Sequence, residues 1–102
     1  MNRVFNPGTV ALIGASEKEG SVGKAVMENL LDSKNIQLFP VNPKKEKVMG
    51  RRCYKDISMV PESVDLAVVA TPANTVPRIV ESCGKAGVYG VMIISAGFKG
   101  DR

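Results

Sequence analysis

The stretch "GASEKEGSVGKA", from Gly14 to Ala25, holds residue types that bind anions. Gly20 and Gly23 leave room for close backbone approach. The amides around Ser21 to Lys24 would point out of a helix N-terminus, whose dipole favours negative charge. Lys18 and Lys24 would add positive charge. The implied chemistry is phosphate binding, yet two familiar loop patterns fail. The dinucleotide fingerprint is GxGxxG, whereas these glycines stand at 14, 20 and 23. Walker A needs GxxxxGK and then Ser or Thr; here Gly23-Lys24 is followed by Ala25, and Lys18 holds the first glycine's place.

A second stretch narrows the ligand. After its second strand, a NAD-binding fold usually offers Asp or Glu to the ribose 2′-hydroxyl. This chain offers Asn42-Pro43-Lys44-Lys45 instead. Two ammonium groups suit an extra phosphate on the ribose, as in NADP or coenzyme A. The basic bias continues through Lys47, Arg51, Arg52 and Lys55, against the single acid Glu46. Thr71-Pro72-Ala73 and Ser95-Ala96-Gly97 are small-residue turns, each by itself equally an ordinary connection.

These residues need elements to hold them. "TVALIG" (Thr9 to Gly14) is an apolar run expected as a strand buried on both faces. Ser21 can cap a helix running to Leu31, with Val22, Val26, Met27 and Leu30 on one stripe. "IQLFPV" (Ile36 to Val41) is a second strand, and Pro40 inside it suggests a sheet edge. The region from Met49 to Pro61 reads as irregular, too short for a certain crossover helix. "VDLAVVA" (Val64 to Ala70) is a third strand. Asn74 or Thr75 would cap a second helix carrying Val76, Ile79, Val80 and Cys83 inward, ended by Gly84 or Gly87. "VYGVMIIS" (Val88 to Ser95) is a fourth strand.

Strands alternating with helices predict an α/β fold, a Rossmann-like doubly wound parallel sheet in a single domain. The first strand is expected centrally, with the second on one side and the third on the other. Gly14–Gly23, Asn42–Lys45, Thr71–Asn74 and Ser95–Gly97 would then follow the carboxyl ends of the strands, where such sheets bind ligands.

Composition bounds the possibilities. A chain of 102 residues, 44% hydrophobic, suits one domain with a core of its own. It contains no histidine, so Ser-His, Cys-His and phosphohistidine chemistry lie outside what it can do alone. Cys53 and Cys83 form no CxxC pair, which argues against a zinc site, and Cys83 on the apolar face of its helix is expected as a buried, reduced thiol. A net charge of +4 is too small to imply nucleic acid. Apolar runs are strand-sized and the N-terminus lacks a signal peptide's apolar region, so no membrane partner is expected and a cytoplasmic location is.

"VALIGASEKEGSVG", "FPVNPKKEKVMGRRCY", "VDLAVVATPANTVP" and "GVMIISAGF" together resemble the N-terminal CoA-binding domain of NDP-forming acyl-CoA synthetases. The likeness is nearest to ADP-forming acetate–CoA ligases and more distant to the succinyl-CoA synthetase α-subunit. It covers essentially the whole chain. It implies a Rossmann-like domain that binds CoA or acyl-CoA without redox chemistry. Gly14 opens the implied site. The loop Ala15–Gly23 would hold the pyrophosphate, with Ser16, Ser21 and Val22 closest and Gly20 and Gly23 shaping it. Asn42, Pro43 and Lys44, with Lys45 beside them, would meet the 3′-phosphate and ribose. Thr71, Pro72 and Ala73 would flank the adenine or the pantetheine arm, and Ser95, Ala96 and Gly97 would lie near the pantetheine. No catalytic residue is expected within residues 1–102. The resemblance implies that a catalytic histidine and an ATP-grasp domain or β-subunit belong to the rest of a longer enzyme. Its reaction would be acyl-CoA + ADP + phosphate ⇌ acid + CoA + ATP. The alternatives are a stand-alone CoA-binding regulatory protein and, further off, an NADP-binding oxidoreductase domain.

Overall fold

An apolar run with no polar phase must be covered on both faces, and Val10 to Ile13 is covered so. A computed structural model describes residues 8–33 and 35–94. In chain order these form β1 (Thr9–Ile13), α1 (Val22–Leu31), β2 (Gln37–Val41), β3 (Lys47–Val48), β4 (Arg51–Arg52), β5 (Leu66–Val69), α2 (Val76–Lys85) and β6 (Gly90–Ile93). Single 3-10 turns lie at Ile57–Met59 and Ala73–Thr75. One sheet runs in the order β2-β1-β5-β6 with every pairing parallel. β1 is interior, as expected, and the chain changes direction between β1 and β5.

Alternating side chains divide the core in two. Val10 and Leu12 pack with Met27 of α1 and with Leu38, Leu66 and Val68. Ala11 and Ile13 pack with Cys83 of α2 and with Val41, Ala67 and Val69. Helices therefore cover opposite faces of the sheet, the doubly wound arrangement.

Ser21 starts α1, its Oγ accepting the Lys24 amide at 3.1 Å. α2 starts differently. Thr75 precedes it without a side-chain cap, and the 3-10 turn and Pro77 lead the chain in. Of the stripe expected on α2, Cys83 is buried and Val76 and Ile79 pack against the core, while Val80 is 38% exposed. Gly87, at φ +77°, follows the helix end, rather than Gly84.

β2 is an edge strand of the sheet, as Pro40 suggests. The Pro40 carbonyl faces outward and accepts the Tyr54 amide at 2.9 Å, so the missing Pro40 N–H also points off the sheet. Between β2 and β5 the described residues form no α-helix. β3 and β4 form a small hairpin instead, turned by Met49 at φ 52° and Gly50 at φ 79°. Two successive positive φ angles are what a tight two-residue hairpin requires. No helix among the described residues is long and apolar enough to cross a membrane.

Candidate functional site

Gly14 is where the site begins. Its φ is +98°, and a Cβ there would lie 2.7 Å from the Ala70 carbonyl oxygen. Only glycine lets the end of β1 approach the end of β5 so closely. The Gly14 and Ala15 amides both point at the Val41 carbonyl, at 2.9 and 3.3 Å. Asn42 completes the lacing. Its Nδ2 donates to the Ala15 carbonyl at 2.9 Å, and its Oδ1 accepts the Lys44 amide at 2.8 Å. The side chain of Asn42 thus fixes the second loop to the first, and with it the backbone that carries Lys44.

Beyond these strand ends lies a cleft of about 600 Å³. Of the residues singled out in the sequence, Gly14, Asn42, Pro43, Lys44, Thr71 and Pro72 line it. Ile13 and Val41 are among its apolar lining residues. Two further segments complete the wall: Lys55, the end of the basic stretch, with Asp56 and Ile57 from the link after β4, and, not anticipated, Thr75, Arg78, Ile79 and Ser82 around α2. The Thr75 hydroxyl lies 2.7 Å from both Thr71 Oγ1 and the Pro72 carbonyl, which stiffens the Thr-Pro bend.

Charge in the cleft is mostly positive. Lys44, Lys55 and Arg78 face it, and none of the three forms an ion pair with a described residue. Asp56 is the acid present. Its carboxylate accepts the Ser58 hydroxyl and, at 3.1 Å, the Ser58 amide. Those bonds, led by the hydroxyl, hold the Asp56 carboxyl below its ordinary range, so it is ionised at neutral pH.

The longer loop does separate work. Ala15 is buried; Ser16, Gly20, Ser21, Val22 and Gly23 do not line the cleft. Ser16 Oγ accepts the Lys18 amide at 3.0 Å, and Ser21 Oγ donates to the Lys18 carbonyl at 2.7 Å. Gly20, at φ +80°, has open space around it, as a ligand-facing glycine would. Gly23 does not. A Cβ there would sit 2.1 Å from the Gly14 carbonyl oxygen, so this glycine serves the packing of α1 on β1. The amides of Val22 and Gly23 occupy first-turn positions with no intrahelical acceptor, and they remain the donors such a loop offers. Lys24 does not supply a spare cation there. Its ammonium lies 3.1 Å from both Glu19 and Glu28, and those bonds, Glu19 first, raise its pKa.

Lys45 and Ala73 are exposed and lie outside the cleft lining. Ser95, Ala96 and Gly97 fall outside the described residues. A second concavity of about 750 Å³ runs along the β3–β4 hairpin and shares Lys55. It contains none of the strand-end loops, which leaves the 600 Å³ cleft as the candidate ligand site. Cys53 and Cys83 are free and buried, and burial pushes both thiols up. Among the described residues no group of three or more potential ligands could hold a metal ion.

The profile of the CoA binding domain family matches residues 8–101. The chain belongs to that family. Among curated relatives, the ADP-forming acetate–CoA ligase I of Archaeoglobus fulgidus is 46% identical over 99 residues, covering 97% of this chain. The ADP-forming acetate–CoA ligase of Methanocaldococcus jannaschii is 49% identical over 92 residues, covering 90%. The chain spans only 14% and 13% of those two proteins. Among solved structures, the dinucleotide forming acetyl-coenzyme A synthetase 1 of Ca. Korarchaeum cryptofilum, in complex with phosphate and ADP, matches with a TM-score of 0.87. Identity there is 39%, over 97% of this chain and 22% of that one. The doubly wound sheet described above is therefore the CoA binding domain fold.

Proposed function

We propose that this domain binds coenzyme A, or an acyl-CoA, across the carboxyl ends of β1, β2 and β5. The observation that carries the reading is the cleft's charge. Where a NAD site would hold a ribose carboxylate, Asn42 orients a loop bearing Lys44, and Lys55 joins it. In this reading the diphosphate rests on the Val22 and Gly23 amides, with Ser16, Gly20 and Ser21 shaping the turn. Lys44, with Lys45 alongside, takes the 3′-phosphate. Thr71, Pro72 and Ala73 flank the adenine or the pantetheine arm, and Ser95, Ala96 and Gly97 lie along the pantetheine.

The domain is the CoA-binding part of an acid–CoA ligase of the ADP-forming kind, catalysing acyl-CoA + ADP + phosphate ⇌ acid + CoA + ATP. The names of its relatives support this. With no histidine in 102 residues, a phosphohistidine step would use another domain or a partner subunit carrying the ATP-grasp fold. A reducing cytoplasm suits two free thiols. Competition between CoA and NADPH for the purified chain tests the nucleotide assignment. CoA displacing NADPH at equal concentration is the expected result; tighter binding of NADPH would return the domain to the oxidoreductase class.

A further inference from the structure

Arg78 is not part of any loop that follows a strand, and its role emerges only from where α2 lies. Val76, Ile79 and Cys83 pack α2 on the sheet. Arg78 and Ser82, one turn apart, flank that stripe and both line the cleft beside Ile79. Ser82 Oγ donates to the Arg78 carbonyl at 3.2 Å. The guanidinium has no carboxylate partner among the described residues. Glu81, three positions on, sits 4.0 Å from Lys85, and the Asp56 carboxylate is engaged by Ser58. Lys44, Lys55 and Arg78 thus come from three different segments and enter one cleft, with Asp56 the acid against them. Three cations against one acid give the cleft a surplus of positive charge, which suits a polyanion.

We propose that Arg78 is a specificity-determining residue of this cleft, acting with Lys55 to select ligands that carry a phosphomonoester in addition to a diphosphate. The proposal rests on the CoA reading above. A planar guanidinium offers paired donors that match two phosphate oxygens at once, whereas an ammonium acts as a point charge. Arg78 therefore supplies directional recognition, and Lys44 and Lys55 supply field. Because Thr75, which immediately precedes α2, stiffens the Thr71-Pro72 bend, the start of the helix would couple the phosphate to the neighbouring wall of the cleft.

Calorimetric titration of the 102-residue chain and its Arg78→Gln, Arg78→Lys and Lys85→Gln variants with CoA and with 3′-dephospho-CoA tests the proposal. Arg78→Gln should weaken CoA about ten-fold while changing 3′-dephospho-CoA less than about two-fold. Arg78→Lys should fall between. Lys85→Gln removes the same charge from the same helix outside the cleft and should change neither. Thermal melts of each variant confirm that it is folded. An unchanged CoA affinity in Arg78→Gln, an equal loss for both ligands, or the same loss in Lys85→Gln would overturn the role of Arg78. Those outcomes would leave CoA binding intact, whereas failure of the unaltered chain to bind CoA would overturn the underlying reading.

Discussion

Gly20 and Gly23 stand three positions apart in one loop and fail for different reasons when substituted. Ala at position 23 would drive a methyl group into the Gly14 carbonyl, 2.1 Å away, and backbone cannot step aside cheaply. Gly23→Ala should cost about 3 kcal/mol, the upper end of overpacking penalties. Ala at position 20 meets nothing but must adopt φ +80°, at about 1–2 kcal/mol. Chemical denaturation of the two variants checks the ranking, and a smaller loss for Gly23→Ala would refute the packing role. The thiols carry a pH dependence with a definite sign. Burial raises both, with the Asp56 charge adding to it at Cys83. An unfolded thiol ionises near pH 8.5, so stability is full below about that pH and declines as pH rises toward the folded values. Iodoacetamide at pH 8 should label Cys53 and Cys83 slowly in the folded chain and quickly in denaturant. Fast labelling of the folded chain would contradict their burial.

Elements differ in how much they hold the fold together. Leu12 is fully buried in interior β1, so Leu12→Ala should cost about 2–5 kcal/mol. Met92 in β6 is 49% exposed, and Met92→Thr should stay within about 1 kcal/mol. Comparable losses in denaturant melts would show that β6 is covered in solution. The same contrast explains what the sequence made legible. Long apolar strands, the Ser21 cap and the Pro40 edge are local signals, and they place β1, α1, β2, β5 and the sheet order. The β3–β4 hairpin is not local in that sense. Its strands are two residues long, and its turn is Met49-Gly50 rather than an Asn-Gly pair. The cleft residues divide likewise. Gly14, Pro43, Lys44, Thr71 and Pro72 stand directly after strands and could be read by position. Lys55, Asp56 and Arg78 reach the cleft through tertiary packing of an irregular link and of one flank of a helix. The ion pairs that occupy Lys24, and the lacing role of Asn42, depend on partners that spacing alone does not name.

At the scale of the whole molecule, a basic cleft lies across a strand switch point, and under the proposed function that cleft binds coenzyme A. If so, ligand binding must be visible as stability. At a CoA concentration a hundred times its Kd, unfolding should cost about 2.7 kcal/mol more than without it. No shift at any CoA concentration would contradict binding to the folded state. The most direct test of the central claim compares CoA with 3′-dephospho-CoA, two ligands that differ by one phosphate. Under the proposed contact of Lys44 and its neighbours with that phosphate, CoA should bind at least about ten-fold more tightly. Equal affinity for the two would remove the lysines from the role given them, and no binding of either would contradict coenzyme A as the ligand.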